Sequence, residues 1–370
     1  MKNSINRFLG KLPRAISLGA VLIGSPVPMA LDAQGYRHGL LVSDVANVAS
    51  HTDTNLVNAW GLAIGEGGTL VVCATESSLA GFYRPDGRRI GDYIAVEEDP
   101  TGVEFNRWDD AFRITGGQFA RPSRLLFATE AGRILGWNPR VNDLEAVVAV
   151  DNSAAGTVYK GLAVARTRRG PRLYATNFRG GTVEVYDGAW HPLGTFTDAT
   201  VDPGLAPFNV VHIDGVLLVT FAKQEAPDLE DDEPGPGNGF VDVFDLDGHL
   251  LRRFASHAPL NSPWGVALAP RHFGLFSNAL LVGNFGDGYI NAFHPHTGAF
   301  LGALADAQGN AIVIDGLWAL RFGRDARDRD EEERDSRHHS EENAVLYFTA
   351  GPGDETHGFI GKIAPERRLR

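Results

Sequence analysis

The feature that most constrains this fold is an internal repeat that opens with Trp-Gly or a variant of it. The stretch VNAWGLAIG (57–65) returns with small changes as NSPWGVALAP (261–270). Related motifs begin at residues 61, 102, 161, 209, 265 and 318, so six copies of the repeat follow one another at intervals of 41 to 59 residues. A repeat of this length is typical of architectures in which each copy is one supersecondary unit.

Each copy reads as four short antiparallel strands. In the fifth copy, SPWGVALAP is followed by the apolar run NALLVG, a Gly-Asp-Gly turn, the run YINAF, a His-Pro-His-Thr-Gly turn and a last short run. The 44 glycines in 370 residues fit many tight turns between short strands. One such sheet cannot bury both of its faces, whereas several packed around an axis can. The pattern predicts an all-β fold, a six-bladed β-propeller of four-stranded antiparallel blades.

The sixth copy lacks an obvious fourth strand, because the chain ends in the polar segment IAPERRLR. The N-terminal run HGLLVSDVANV (38–48) reads as a strand that precedes the first copy. We predict that it closes the ring as the outer strand of the sixth blade, which removes an open sheet edge. The propeller would then be a single domain at 34–370. The almost wholly charged stretch 323–343 is predicted to be a disordered loop insertion.

The first 33 residues have the three parts of a secretory signal peptide. A basic start precedes the apolar run AISLGAVLIG (15–24), and SPVPMALDA then offers small residues for cleavage. Ten residues at 1.5 Å each cannot cross a bilayer core of ~30 Å, so we favour a cleaved signal over a membrane anchor. We therefore expect export to the periplasm or the extracellular space, with no transmembrane segment in the mature chain.

Charge and cysteine content exclude some partners and chemistries. The formal net charge is −12, and an acidic protein repels phosphate backbones, so nucleic acid is not an expected partner. Cys73 is the only cysteine and lies in the apolar run LVVCAT, which predicts a buried, unreactive thiol and no internal disulfide.

Loops on one face of a propeller gather polar residues over the axis, and we call this face the mouth. It is formed by the loops that lead into each first strand and by the loops that join each second and third strand. The leading loops bring Asp53, Asn55, Asn58, Tyr159, Lys160, Asn209, Asn261, Ser262 and Asp315. The second–third loops bring Glu76, Glu130, Asn177, Lys223, Gln224, Asn284, Asp287, Asp354, Glu355 and His357. The acidic run 225–233 is predicted to be a solvated flap over the mouth. Loops on a rigid scaffold are where function is usually carried.

Three groups of site residues follow from this placement. The ligand-binding candidates are Asn55, Asn58, Trp60, Tyr159, Asn209, Trp264 and Glu355. The metal-binding candidates are Glu76, Asn177, Asn284 and Asp315, because carboxylate and amide oxygens suit Ca²⁺. His357 is the candidate general acid or base, since histidine titrates near neutrality. For each of these residues the alternative is a purely structural role in a turn.

Several long motifs resemble a family of exported bacterial hypothetical proteins. They include NAWGLA, APFNV, GPGNGFVDVFD, NSPWGVALAP, VGNFGDG, DGLWAL and TAGPGDETHG, and they run from about residue 38 to 363. The resemblance implies an NHL-like β-propeller and export, with no established activity. A weaker resemblance, of residue type and placement, is to calcium-dependent lactonases and gluconolactonase-like hydrolases.

Two functions stay open on the sequence. The first is a binding scaffold that holds a small polar ligand, a saccharide or a protein segment at the mouth. The second is a calcium-dependent hydrolase in which the metal polarises a carbonyl group. The sequence does not decide whether the protein is an enzyme.

Overall fold

The repeated apolar runs form the strands of a ring of six sheets, which confirms the predicted six-bladed β-propeller. The structure is a computed structural model that describes residues 35–323 and 345–366. The predicted signal peptide (1–33) lies outside the described residues, and only Gly323 of the charged stretch 323–343 lies within them. Two strands precede the first blade, β1 (Tyr36–Ser43) and β2 (His51–Thr52).

The first three blades follow the copy boundaries. Blade one contains β3 (Ala59–Ile64), β4 (Leu70–Ala74), β5 (Leu79–Tyr83) and β6 (Arg89–Ala95). Blade two contains β7 (Pro100–Phe105), β10 (Leu125–Thr129), β11 (Arg133–Trp137) and β12 (Val147–Asp151), with the hairpin β8 (Arg113–Gly116) and β9 (Phe119–Pro122) inserted after its first strand. Blade three contains β13 (Tyr159–Thr167), β14 (Gly170–Asn177), β15 (Thr182–Asp187) and β16 (Pro192–Phe196).

The remaining blades repeat the same order. Blade four contains β17 (Leu205–Ile213), β18 (Val216–Lys223), β19 (Gly239–Phe244) and β20 (Leu250–Ser256). Blade five contains β21 (Pro263–Leu268), β22 (Leu280–Asn284), β23 (Ile290–Phe293) and β24 (Phe300–Ala303). Blade six contains β25 (Leu317–Phe322), β26 (Leu346–Ala350), β27 (Phe359–Pro365) and, from the other end of the chain, β1. Short 3₁₀ turns lie at Glu66–Gly68, Thr75–Ser77, Ser153–Ala155 and Gly274–Phe276.

The N-terminal strand closes the ring, as predicted. β1 pairs antiparallel with β27, in a register that runs from Tyr36 opposite Pro365 to Ser43 opposite Phe359. The Tyr36 ring is 1% exposed, and its hydroxyl donates to the Phe273 carbonyl at 2.8 Å and accepts from the Phe276 amide at 2.9 Å. β1 therefore covers the edge of blade six and also ties it to blade five.

The inserted hairpin β8–β9 was not predicted from the sequence. It explains why the second and third copies are spaced most widely, because its residues lie between the first two strands of blade two. The Ser123 hydroxyl, just after this hairpin, donates to the Phe112 carbonyl at 2.7 Å. The insertion therefore lies on the side of the ring away from the mouth, where strand one turns into strand two.

Glycine in the Trp-Gly motifs allows neighbouring blades to approach closely. A Cβ atom on Gly61 would lie 2.6 Å from the Thr101 carbonyl oxygen of blade two. A Cβ atom on Gly265 would lie 2.5 Å from the Trp318 carbonyl oxygen of blade six. The first strands therefore crowd the axis with no room for a side chain at these positions.

The described residues contain no helix long and apolar enough to span a bilayer.

Candidate functional site at the axial mouth

One position in each copy points a side chain toward the axis, directly before or beside the glycine of the repeat. These six residues are Trp60, Thr101, Lys160, Phe208, Trp264 and Trp318, and none is more than 5% exposed. Five of them are aromatic or small, and the lysine of blade three is the exception. We call this set the axial ring.

The aromatic members of the axial ring touch across the centre of the propeller. The rings of Trp60 and Trp318 stack with centroids 3.6 Å apart, and Phe285 stacks on the other side of Trp318 at 3.9 Å. The Trp264 ring meets Trp60 edge-on at 6.3 Å, and Phe208 meets Trp318 at 6.0 Å. Contacts between blades that are not neighbours are possible only near the axis, so these rings form a solid floor beneath the mouth.

Lys160 lies against this floor and is held by acids from two other blades. Its side chain is 2% exposed, and its ammonium group lies 5.1 Å from the centroid of the Trp60 ring. The ammonium group donates to the Glu130 carboxylate of blade two and, at 3.1 Å, to Asp231 of the acidic flap. Burial opposes the charge, but the two carboxylates outweigh it and raise the pKa of Lys160. Lys160 is therefore a permanent cation and not a nucleophilic amine at neutral pH.

Glu355 brings a third acid to the same place, from blade six. The side-chain amide of Asn58 donates to the Glu355 carboxylate, while its oxygen accepts a hydrogen bond from the Trp318 indole at 2.9 Å. Burial, together with the charges of Glu130 and Asp231, raises the pKa of Glu355 to about 7, although Lys160 and Asn58 act in the opposite direction. Asn58 therefore fixes this carboxyl group relative to the aromatic floor.

A fourth acid, Asp232, is the most deeply buried of the flap. It is 8% exposed, and the Ser262 hydroxyl lies within hydrogen-bonding range of its carboxyl group. Burial raises the pKa of Asp232 to about 6, against the opposing effects of Ser262 and Lys160. The flap therefore contributes two consecutive acids, of which Asp231 faces solvent and Asp232 is enclosed.

The charges at the mouth do not balance. Four carboxyl groups, those of Glu130, Asp231, Asp232 and Glu355, interact with the single ammonium group of Lys160. Burial and mutual repulsion among carboxylates raise the pKa values of Glu130, Asp232 and Glu355. The mouth is therefore an acidic surface over an aromatic floor, and the raised pKa values reduce the negative charge that Glu130, Asp232 and Glu355 carry near neutral pH.

Below the floor, the first strands enclose a narrow axial channel with a cavity volume of only about 10 Å³. Its walls include Gly61, Gly102, Leu162, Asn209, Gly265 and Ala319. At the far end, the Arg321 guanidinium pairs with Glu104 at 2.5 Å and donates to the Leu62 carbonyl at 3.2 Å. The channel is lined mainly by backbone and small side chains and holds few groups for chemistry.

The structure brings together four of the seven predicted ligand-binding residues. Asn58, Trp60, Trp264 and Glu355 meet at the mouth through the contacts above. Asn209 lies beside them, but its amide nitrogen donates to the Trp264 carbonyl at 2.8 Å and so joins blade four to blade five.

The other two predicted ligand-binding residues lie elsewhere. The Tyr159 ring is fully buried in blade three, and its hydroxyl donates to Glu184 in a network with Tyr186 and Asn152. Asn55 is exposed on its loop, where its backbone amide donates to Asp53.

Three of the four predicted metal ligands make hydrogen bonds to separate sets of partners, and the fourth is exposed. The Asn177 amide donates to Glu184 and its oxygen accepts from Gly180, both in blade three. The Asn284 amide donates to Pro259 and Asp287. Asp315 is exposed and accepts from the Gly353 amide, and Glu76 is exposed in its 3₁₀ turn. Among the described residues, no three His, Cys, Asp or Glu side chains are grouped closely enough to hold a metal ion. The calcium site stays a prediction.

His357 lies at the closure of the ring and away from the axial ring. Its Nδ1 atom lies 2.8 Å from the Asp44 carboxylate, which also accepts from the Gly358 amide at 3.0 Å. The histidine side chain is 50% exposed. These contacts fasten the end of β1 to the loop of blade six, so they give His357 a structural partner, and its catalytic role stays a prediction.

Sequence reasoning did not select Lys160, Glu130 and Asp231 as site residues, although it placed all three in mouth loops or the flap. A signal was available for Lys160. When the six copies are aligned, Lys160 occupies a position that holds tryptophan or phenylalanine in four of the other five copies. A charged side chain at this buried position needs a buried partner of opposite charge. The partners come from other blades, and sequence spacing does not reveal such pairs.

No family model matches this chain. It is 31% identical over 346 residues to uncharacterized protein R648 of Acanthamoeba polyphaga mimivirus, which covers 90% of this chain and 81% of the relative. It is 29% identical over 346 residues to uncharacterized protein L690 of the same virus, covering 90% of this chain and 86% of that protein. The chain belongs to the family of these mimivirus proteins. The relatives are viral and not bacterial, so membership of an exported bacterial family stays a prediction.

Solved structures share the propeller fold at low sequence identity. A streptogramin B lyase superposes with a TM-score of 0.51 at 9% identity, covering 90% of this chain and 98% of that protein. A Bacteroides thetaiotaomicron protein of unknown function superposes with a TM-score of 0.54 at 10% identity, covering 90% of this chain and 77% of that protein. These similarities support the fold alone.

Proposed function

We propose that this protein is a binding scaffold whose ligand docks on the axial mouth. The observation that carries the proposal is the buried ammonium group of Lys160, which belongs to blade three and is met by acids from blades two and four. Glu355 of blade six lies within electrostatic range of the same group. Four of the six blades therefore contribute an ionisable group to one place.

Stability alone does not account for the buried ion pairs of Lys160. Burying an ion pair costs desolvation energy that its attraction often only offsets, and apolar residues of similar volume frequently serve as well. The equivalent positions of the other blades show that apolar residues do fit here, because Trp60, Phe208, Trp264 and Trp318 fill them. Charged groups with perturbed pKa values that converge in this way are more typical of functional sites.

The side chains that are exposed at the mouth limit the class of ligand that can bind there. A saccharide would be expected to stack on exposed aromatic rings, but the three tryptophans of the floor are at most 5% exposed. The accessible groups are carboxylates, since Glu130 is 27% and Asp231 is 70% exposed. Of the three ligand classes that the sequence allowed, a small polar ligand or a polar protein segment fits best.

The calcium-dependent hydrolase gains no support from these contacts. Three of its four candidate ligands hydrogen-bond to separate partners, and the fourth, Glu76, is exposed. His357 pairs with Asp44. The acid that lies over the axis is Glu355. Export also remains part of the proposal, supported by the three-part pattern of the first 33 residues.

A ligand panel tests the docking site without assuming a ligand. The purified full-length protein is screened by thermal shift against sugars, lactones, organic acids, amines and short peptides. Every ligand that raises the melting temperature is then tested on Asp231→Ala, Glu355→Ala and the control Asp143→Ala, whose exposed carboxylate lies in a loop between β11 and β12 on the opposite face. We expect the shift to be lost in the two mouth variants and kept in the control. A shift that all three variants retain would contradict docking at the mouth, and so would a panel without any hit.

A further inference from the structure

The side of the ring away from the mouth carries a local excess of positive charge on blades two and three. Three segments form it, 106–124, 138–142 and 166–170, and we call them the arginine face. They contain eight arginines and two aspartates, whereas the whole chain has a formal net charge of −12. The equivalent turns of blade four, 214–215 and 245–249, contain three aspartates and no arginine or lysine. The positive charge is therefore confined to one part of the propeller.

Contacts between the three segments bring these arginines together. The Asn138 side chain donates to the Pro122 carbonyl at 2.7 Å, which joins the turn that carries Arg140 to the inserted hairpin β8–β9. Arg166 pairs with Asp110 at 3.4 Å, which joins the turn of blade three to the loop before the hairpin. The arginine face is thus one continuous surface.

Most of these arginines find no acid within the described part of the chain. Five of them are exposed, and their side chains make no ion pair or hydrogen bond there: Arg121, Arg124, Arg140, Arg168 and Arg169. The planar guanidinium group bonds readily to carboxylates and phosphates. An acidic protein that leaves five such groups unpaired on one surface presents them to anions outside the fold.

Strained backbone holds the inserted hairpin in place. Phe112, directly before β8, has a φ of 53°, and Trp190, in the turn between β15 and β16, has a φ of 71°. This left-handed conformation is unfavourable for bulky side chains. The two rings meet at 5.1 Å, and the Trp190 indole donates to the Arg113 carbonyl at 2.8 Å. Such strain clusters at functional sites, and here it fixes the hairpin of blade two against blade three.

The hairpin also presents an apolar side chain among the arginines. Phe119 is 48% exposed, and Arg121 follows two residues later in β9, so both side chains lie on one face of the ribbon. A Cβ atom on Gly117 at the tip would meet nothing within 4 Å, so the tip is open to a large partner. Basic and aromatic side chains on one surface are typical of segments that lie at the boundary between lipid headgroups and acyl chains. A soluble anion would neutralise the arginines but would leave the phenylalanine in water.

We propose that the arginine face docks the propeller on an anionic lipid surface. The arginines bind headgroup phosphates, and Phe119 inserts at the acyl boundary. Clusters of basic residues are attracted to anionic leaflets in this way, and only a membrane offers phosphates and an apolar layer side by side. The mouth then faces away from the lipid and stays open to its ligand. The proposal does not depend on which ligand binds at the mouth.

Co-sedimentation with vesicles tests the docking. All six blades and the closing strand lie within 34–370, so this chain is used, and the basic and apolar first 33 residues cannot bind lipid in place of the arginine face. The vesicles contain equal parts of phosphatidylcholine and phosphatidylglycerol, or phosphatidylcholine alone. We expect the protein to sediment with the anionic vesicles, to be released as the salt concentration rises, and to stay in solution with phosphatidylcholine.

Matched charge variants separate a built surface from general attraction to lipid. We expect Arg121→Gln/Arg124→Gln to weaken binding to the anionic vesicles about tenfold, because two of the five unpaired charges are removed. The control Arg37→Gln/Arg271→Gln removes two exposed arginines of blades six and five and should keep the affinity within about twofold. All four side chains are exposed, so both variants are expected to fold, and thermal melting checks this.

A second pair of variants tests the insertion of the aromatic ring. Phe119→Ser should weaken binding to the anionic vesicles about fivefold, because it removes apolar surface that lipid would cover. The control Phe300→Ser removes a ring that is 50% exposed on β24 of blade five and should leave binding unchanged.

The proposal is overturned if the anionic vesicles do not sediment the protein, or if either control weakens binding as much as its counterpart on the arginine face. Poly-L-glutamate is added as a soluble competitor. If it binds the arginine face and Phe119→Ser leaves vesicle binding unchanged, the surface recognises acidic polypeptides and membrane docking is wrong. None of these outcomes bears on ligand binding at the mouth, because no mouth residue is changed.

Discussion

The ammonium group of Lys160 pairs with the carboxylate of Glu130 across the boundary between blades three and two, and the two ends differ in exposure. The lysine side chain is 2% exposed and the glutamate side chain 27%. Removing the glutamate therefore leaves a charge that water cannot reach well, whereas removing the lysine leaves acids that water can reach in part.

This asymmetry gives the first prediction. We expect Glu130→Gln to lower the free energy of unfolding by about 1–3 kcal/mol, because it leaves a buried charge with a single exposed partner. Lys160→Met should cost less, and the double variant Lys160→Met/Glu130→Gln should recover part of the loss of Glu130→Gln. Urea denaturation of the four proteins measures the coupling. Additive effects of the two substitutions would show that the pair does not act as a unit.

The buried carboxyl group of Asp242 is expected to make stability depend on pH. Arg253 of blade four bridges two acids. It donates to Asp198, in the loop between blades three and four, at 2.5 Å and to Asp242 of β19 at 3.0 Å. Asp242 is fully buried and its Oδ2 atom is unpaired. Burial, together with Asp198, raises the pKa of Asp242 to about 7, although Arg253 acts in the opposite direction.

Because the pKa of Asp242 is raised above its unfolded value of 3.8, the folded state holds a proton that the unfolded state releases. Its contribution to stability is complete below about pH 4 and is lost as the pH rises through about 7. We therefore expect Asp242→Asn to make the melting temperature fall less steeply between these pH values than it does in the wild type. Asp143→Asn, on an exposed loop, should leave the slope unchanged. Parallel curves for Asp242→Asn and the wild type would rule out this role of Asp242.

Ring closure predicts a large effect of the N-terminal strand. Deleting residues 34–50 removes β1, exposes the edge of β27 and leaves a hole where Tyr36 packs on Phe273 and Phe276. We expect a sharp fall of the melting temperature in a thermal scan. Tyr36→Phe keeps the ring and removes only the hydroxyl, so it should cost about 1–3 kcal/mol by leaving the Phe276 amide unpaired. An unchanged melting curve of the deletion variant would refute the closure.

The features of the fold that depend on short stretches of sequence could be predicted from the sequence alone. The blade count and the ring closure were predictable because each depends on short motifs, such as the Gly-Asp-Gly turn and the N-terminal run 38–48, that repeat or complete a pattern. The gathering of Asn58, Trp60, Trp264 and Glu355 followed from the same geometry, since alternate loops share a face.

The remaining site residues could not be chosen in this way. The meeting of Lys160 with Glu130 and Asp231 depends on side chains 30 and 71 residues away, in other blades. Asn177 and Asn284 lie at strand ends that suited a metal site equally well, but nearby Glu184 and Asp287 bind their amides. Loop position thus predicts which face a residue lies on, whereas its partner is decided by packing between blades.

Crowding at the axis predicts contrasting effects of two glycine substitutions. A Cβ atom on Gly61 would lie 2.6 Å from the Thr101 carbonyl oxygen, and one on Gly39 of β1 would meet nothing within 4 Å. We expect Gly61→Ala to cost about 1–3 kcal/mol, since the first strands of blades one and two must move apart. Gly39→Ala should be close to neutral. Equal unfolding free energies of the two variants in urea would contradict the close approach.

The rate at which the Cys73 thiol is labelled reports whether blade one opens separately from the rest of the protein. It is fully buried in β4, and burial raises the pKa of the thiol, so it is neither accessible nor ionised in the folded protein. We expect a thiol reagent to label Cys73 only at the rate of global unfolding, because β4 is the second strand of a blade enclosed by its neighbours. Labelling is followed by mass spectrometry in increasing urea and compared with unfolding followed by fluorescence. In Gly61→Ala, which loosens the contact between blades one and two, labelling should speed up by the factor that its loss of stability predicts. Labelling faster than global unfolding in the wild type would show instead that blade one opens on its own.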